Sequence, residues 1–200
     1  MDDDRPTLAA PTLVSVALVD LFNVGPGART DHDYEDLMNH VGDLVRRVLV
    51  PPVPVGHVHD VDCRLYGGFM DRTGAVTEQF VRTQRQLRTL TGIQERIRIR
   101  PQLVRSLACL SMRPLIGTYK NRGQNMVDQM LGQDLLYYAY GVDYDYILLI
   151  ANDDDYVPTV LTAAVQTRRP IRWLRRRPSS ENDPLLLEFG VTFLMDGTWA

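Results

Sequence analysis

Apolar and polar positions along this chain follow two alternating periods. Short apolar runs rich in β-formers at Leu13–Val19, Tyr146–Ile150 and Ile171–Leu174 mark buried strands. Tyr34, Leu37, Met38, Val41, Leu44 and Val48 recur at helical spacing instead, behind a candidate cap at Thr30 with Asp33 three residues on. Pro51–Pro54 ends that helix and opens a loop. Helices are also expected over Val76–Thr91, Asn125–Tyr140 and Val157–Thr167, with strands at Asp62–Phe69 and at the alternating Ile97–Arg100. Gln102–Leu110 suits an extension or a hairpin arm, and the apolar stretch 185–195 suits a last helix or strand. Strands and helices in alternation predict an α/β fold, a Rossmann-like three-layer sandwich with a mostly parallel central sheet. Residues 13–200 are expected to form its single domain, after a loose acidic tail over 1–12.

Bulk composition changes this picture little. At 200 residues, 44% hydrophobic and 24% charged, the chain suits one soluble domain. A net charge of −3 does not announce a nucleic-acid binder, but the charge is segregated. Acid gathers at Asp2–Asp4, Asp31–Asp36 and Asp153–Asp155, and base at Arg96–Arg105 and Arg168–Arg177, so one face could still meet a polyanion. Lys120 is the only lysine. Two cysteines without a CxxC make no disulfide scaffold. The opening Met-Asp-Asp-Asp-Arg-Pro lacks the features of a signal peptide, and no apolar run approaches a membrane span. A cytoplasmic location without membrane association is expected.

Candidate chemistry concentrates at Asp153-Asp154-Asp155, directly after the Tyr146–Ile150 strand. Adjacent carboxylates repel, so folding alone rarely selects three; a bound divalent cation reverses that sign. Helix capping explains one such aspartate well and three poorly. At the carboxyl end of a parallel strand these acids would sit in the crevice where open α/β sheets bind ligands. Asp20 ends the first strand and would join them if the two strands are neighbours. Asp128 shares an apolar helix stripe with Leu131, Leu135 and Tyr138, so it should point inward toward a partner. Asp134, on the edge of that stripe, suits a structural hydrogen bond. His57-Val-His59-Asp60, among prolines and with no third histidine downstream, is assigned to a loop.

Three segments in order resemble the NYN domain, a branch of the PIN-like nuclease superfamily. The first is Val-Ala-Leu-Val-Asp20-Leu-Phe-Asn23, matching the family's opening strand, Asp and Asn. The second is Lys120-Asn-Arg122-Gly123 followed by Val127-Asp128 and, on the same helix, Leu131 and Asp134. The third is Ala151-Asn152-Asp153-Asp154-Asp155-Tyr156, where the family has Ser-Gly-Asp-x-Asp-Phe. The resemblance implies a metal-dependent ribonuclease, most simply an endoribonuclease, acting on single-stranded or structured RNA. It implies Asp20, Asp128, Asp153 and Asp155 as the catalytic carboxylates that hold Mg²⁺ or Mn²⁺. Asn23, Lys120 and Arg122 would address the phosphate, and Tyr156 would stack on a base. The arginines at 96, 98, 100, 105, 172 and 175–177 could track more distant phosphates. The pair Ala151-Asn152, the extra charge of Asp154 and a longer basic loop depart from the family pattern. One rival is a non-catalytic RNA-binding or regulatory PIN-like module. Another is a haloacid dehalogenase-like phosphatase, disfavoured because Phe22 stands where its second aspartate belongs. A homodimer or a regulatory protein partner stays open.

Overall fold

The computed structural model describes residues 12–24, 30–49, 55–69, 75–104, 127–141, 143–175 and 181–195. Its strands are β1 (Thr12–Asp20), β2 (Val58–Tyr66), β3 (Gly92–Gln94), β4 (Ile97–Leu103), β5 (Tyr146–Ile150), β6 (Ile171–Arg175) and β7 (Thr192–Met195). They form one sheet in the order β3-β4-β2-β1-β5-β6-β7. Every neighbouring pair is parallel except the β3–β4 hairpin. The six parallel strands therefore run outward from β1 in both directions, the order of a doubly wound Rossmann sheet. The described helices are α1 (Leu21–Val24), α2 (Asp31–Val48), α3 (Glu78–Leu90), α4 (Val127–Gly141), α5 (Val157–Thr167) and α6 (Asp183–Glu188).

Two cores flank the sheet, and strand periodicity divides residues between them. Ala17 and Val19 of β1 pack with α2 and α3, while Val16 and Leu18 face α4 and α5. Both faces are covered, which is why β5 and, Ser15 apart, Leu13–Val19 of β1 are apolar on both faces rather than alternating. Each fully buried Val, Leu or Ile contributes about 1.5–3 kcal/mol. Local signals set the helix ends. Asp33 N donates to Thr30 Oγ1 (3.2 Å) and Thr30 N to Asp33 Oδ2 (2.7 Å), a reciprocal capping box at α2. Thr77 caps α3 through Phe80 N. Gly132 lets α4 close on α5, since a Cβ there would meet Thr159 Oγ1 at 3.3 Å.

The structure corrects several expected boundaries. β2 starts at Val58, so His59 and Asp60 belong to a strand and not to a loop. Their polarity hid it, because each finds a partner inside the sheet. His59 Nε2 and Ser15 Oγ lie 2.6 Å apart, and Asp60 faces Arg98 at 3.5 Å. Asp60 opposes Arg98 and Asp62 opposes Arg100 across β2 and β4, with Arg100 Nε 3.0 Å from Asp62. The alternating arginines of β4 thus form a cross-strand charge ladder with Asp60 and Asp62. Glu95 and Arg96, both at positive φ, turn β3 back onto β4 in a hairpin the apolar pattern did not reveal. The expected 185–195 element is two elements, α6 and β7. Of Gln102–Leu110, residues 102 and 103 extend β4, and 105 onward lie outside the described residues. Among the described residues, no helix is long and apolar enough to cross a membrane.

His59 supplies a pH dependence. Burial pushes its pKa below 6.5 and Arg172 reinforces this, against opposing contributions from Asp145 and Asp60. The unfolded chain therefore takes up the proton first, so the stability from neutral His59 is complete above about pH 6.5 and is lost as pH falls through the lower folded-state value. We expect the melting temperature to hold between about pH 8 and 7 and to fall on further acidification. His59→Gln should flatten that fall; an unchanged profile in the variant would assign the acid sensitivity to other groups.

Candidate metal centre

β1 and β5 are neighbours, with Val19 opposite Ile150, so Asp20 and the residues after Ile150 emerge together at the carboxyl edge. The strand order reverses here, which opens the crevice typical of ligand sites in such sheets. The chain leaves β5 through Ala151, Asn152 and Asp153 and makes a single 3₁₀ turn, Asp154–Tyr156, before α5. Trp173 anchors the start of this connection: its Nε1 donates to Ala151 O at 2.9 Å, while Ala151 N donates to Leu174 O at 3.3 Å. Asp155 N donates to Asp153 Oδ1 at 3.0 Å, so the capping role considered for Asp153 is present.

Capping does not exhaust the arrangement. α4 crosses the same edge and brings Asp128 to the turn. Carboxylate oxygens of Asp128, Asp153 and Asp155 all lie within 4.8 Å of one another. Asp128 and Asp153 are half-buried and Asp155 is exposed. Unit charges this close repel by about 1 kcal/mol per pair in bulk water, and several times more where solvent is partly excluded.

Asp20 stands behind this group. It is 2% exposed, and its Oδ2 accepts from Asn23 Nδ2 at 2.6 Å and from Tyr156 Oη at 3.0 Å. Tyr156 Oη also lies 2.9 Å from Asp128 Oδ1. One phenolic hydrogen thus serves two carboxylates and joins Asp20 to the cluster. Burial, then the charges of Asp20 and Asp128, raise the Tyr156 pKa and keep the phenol a neutral donor. The base-stacking role expected of Tyr156 is corrected by this geometry: the residue is 1% exposed, so its ring offers no face to a ligand. Asp134 is a tether. It accepts from Tyr66 Oη at 2.6 Å and Arg64 Nη2 at 3.2 Å, fixing α4 to β2 and so fixing the helix that carries Asp128.

Lys120, Arg122, Arg105, Arg176 and Arg177 lie outside the described residues. Arg172 donates to Val48 O at 3.0 Å and covers the Tyr146 ring, and Arg175 is buried, so neither is an open phosphate contact. Sequence reasoning missed the joining role of Tyr156 and the anchor at Trp173. A Tyr directly after three aspartates is the only trace of the first. A cavity of about 400 Å³ between β2, β4 and α4 is lined by Asp62, Arg64, Arg100 and Tyr138 among others, and by none of the cluster acids. Its charged groups already pair with one another or with Asp134.

The donor set fits a hard cation. Carboxylate oxygens alone suit Mg²⁺, Mn²⁺ or Ca²⁺, whereas zinc and copper favour imidazole or thiolate. Ligand oxygens on one octahedral Mg²⁺ are about 3–4 Å apart, so the three acids need only small adjustments to share an ion. Cys63, the cysteine among the described residues, is buried and its thiol is pushed up to about 12, which makes it neither ligand nor nucleophile.

No family model and no curated protein matches this chain. Among solved structures, it is similar to a protein of unknown function, VPA0982 from Vibrio parahaemolyticus. That similarity covers 98% of both chains at 14% identity and a TM-score of 0.47.

Proposed function

We propose that the chain is a metal-dependent ribonuclease that hydrolyses RNA phosphodiesters at the Asp128–Asp153–Asp155 cluster. The observation that carries this reading is the convergence of those three carboxylates within 4.8 Å, at the carboxyl edge where β1 and β5 meet. Asp128 and Asp153 would hold Mg²⁺ or Mn²⁺, with Asp155 as a further ligand or the holder of a second ion. The ion, when bound, supplies charge neutralisation at the phosphoryl oxygens and a water of lowered pKa. Asp20 fixes Asp128 through Tyr156, and Asn23 holds the Asp20 carboxylate in place. The choice of RNA rests on the ordered resemblance to the NYN pattern at Asp20–Asn23, Lys120–Asp134 and Asp153–Tyr156. Lys120 and Arg122 are proposed to contact the substrate phosphate.

The deciding experiment incubates purified protein with end-labelled single-stranded and hairpin RNA, with Mn²⁺, with Mg²⁺ and with chelator, beside an Asp128→Asn preparation. Internal cleavage that needs the ion and vanishes in the variant is expected. Hydrolysis of p-nitrophenyl phosphate without RNA cleavage would instead revive the phosphatase. A second reading, a non-catalytic RNA-binding module, is favoured by one observation: Asp20 is turned toward Asn23 and Tyr156 and does not join the three-acid group. RNA binding and ion binding without cleavage would select it.

A further inference from the structure

Three consecutive aspartates do not behave alike in this turn. Asp153 and Asp155 join the cluster with Asp128, and Asp154 does not. Its Oδ1 lies 3.7 Å from Nη1 of Arg175, the last residue of β6. Arg175 is 1% exposed and packed against aromatic rings, its guanidinium carbon 4.4 Å from the Phe193 centroid and 5.2 Å from that of Trp173. Its Nη2 pairs with Asp183 at the start of α6. Nε and Nη1 are buried and make no hydrogen bond among the described residues. A buried guanidinium is costly unless its charge is matched, and here one carboxylate matches it from α6 and another from the acidic turn. The planar fork reaches both through different nitrogens, which a single ammonium does not do.

We infer that Arg175 is a positioning residue for the metal centre: it draws Asp154 away from Asp128, Asp153 and Asp155 and ties the acidic turn to α6. This rests on the metal-centre reading above and goes beyond it. It also accounts for the extra charge in the turn. Asp154 stands between Asp153 and Asp155 in the turn, so losing its contact with Arg175 would leave the backbone that carries both ligands less firmly fixed. Trp173 holds the turn at Ala151 and Arg175 holds it at Asp154, both from the end of β6.

The sign of the effect separates positioning from simple electrostatics. Coulomb attraction alone predicts that deleting a cation near the site tightens Mn²⁺ binding, and that Arg175→Lys changes nothing. Positioning predicts loss in both. Mn²⁺ titration calorimetry on the full chain, with a thermal melt of each variant, reads this directly. Arg175→Lys should weaken Mn²⁺ binding roughly tenfold or more, the range for partners that orient metal ligands. The charge-neutral pair Arg175→Leu/Asp183→Leu should do the same with the fold retained, since a buried ion pair is replaced by apolar groups. Asp154→Ala at a side chain 47% exposed guards against misfolding of the others. Its loss of affinity should persist at about 0.5 M salt, where a purely electrostatic contribution is screened. Wild-type binding with Arg175→Lys within twofold of it, or tighter, overturns the inference and leaves the metal centre standing. Absence of Mn²⁺ binding in the wild type removes both.

Discussion

Asp153→Asn and Asp128→Asn should each abolish detectable Mn²⁺ binding and lower RNA cleavage by more than about a hundredfold, the upper end of what loss of an outer partner costs. Both variants should also melt slightly higher than the wild type when metal is absent. The two effects share one cause. The carboxylates of Asp128, Asp153 and Asp155 lie within 4.8 Å of one another, so each repels the other two until a cation sits among them. Asparagine keeps the oxygen that accepts from Asp155 N at position 153, and the oxygen beside Tyr156 Oη at position 128. The cap and the tether survive, and only charge and ligand strength are lost. Ion binding to the folded wild type should raise its melting point, by about 2.7 kcal/mol of added stability at a hundredfold excess over Kd. That corresponds to roughly 5–10 °C for a chain of this size. The variants should show no such rise.

The opposite pattern is equally specific. If Asp153 were only a helix cap, Asp153→Asn would be neutral in the melt and neutral with Mn²⁺, because asparagine caps as well as aspartate. An unshifted wild-type melt across a Mn²⁺ titration would dispose of the metal centre outright.

Legibility in the sequence followed burial. β5 and α5 match the expected Tyr146–Ile150 and Val157–Thr167 because an apolar run buried on both faces and a proline in the first helical turn leave few alternatives. The start of β2 was hidden because His59 and Asp60 find polar partners on β1 and β4, and a pattern of apolar residues is blind to paired polar ones. β3 is three residues long, too short for periodicity. The acids of the site were legible individually, since an aspartate at a strand end or on an apolar helix stripe violates an ordinary preference. Which of them touch was not, because that depends on the adjacency of β1 and β5 and on the approach of α4. Topology brought Asp128 to Asp153 and Asp155, and the Tyr156 ring, buried beneath them, kept Asp20 one hydrogen bond away. Arg175 lay in a basic run whose pattern suggested contacts to distant phosphates. Only the packing of Trp173, Phe193 and Asp183 around it marks it as internal.

Tyr156→Phe provides the sharpest contrast between that buried arrangement and a ligand-stacking tyrosine. Phenylalanine preserves the ring, so a residue that stacks on a base would keep its function and stability nearly whole. Here the hydroxyl is what matters, because Oη is 3.0 Å from Asp20 and 2.9 Å from Asp128. Its removal sets an apolar ring edge against two carboxylates, one of them only 2% exposed. A hydrogen bond to a charged group is worth about 1.5–3 kcal/mol, and Asp20 keeps its bond from Asn23 Nδ2 in the variant. The expected result is a melting point lower by roughly 4–10 °C in chelator. Mn²⁺ affinity should weaken as well, since Asp128 loses its link to Asp20. Saturating Mn²⁺ should recover part of the lost stability, because an ion among Asp128, Asp153 and Asp155 restores a partner to the first of these. A variant with the wild-type melting point and wild-type Mn²⁺ affinity would mean that the shared hydroxyl does not join Asp20 to the cluster, and that Asp20 acts at the site by some other route or not at all.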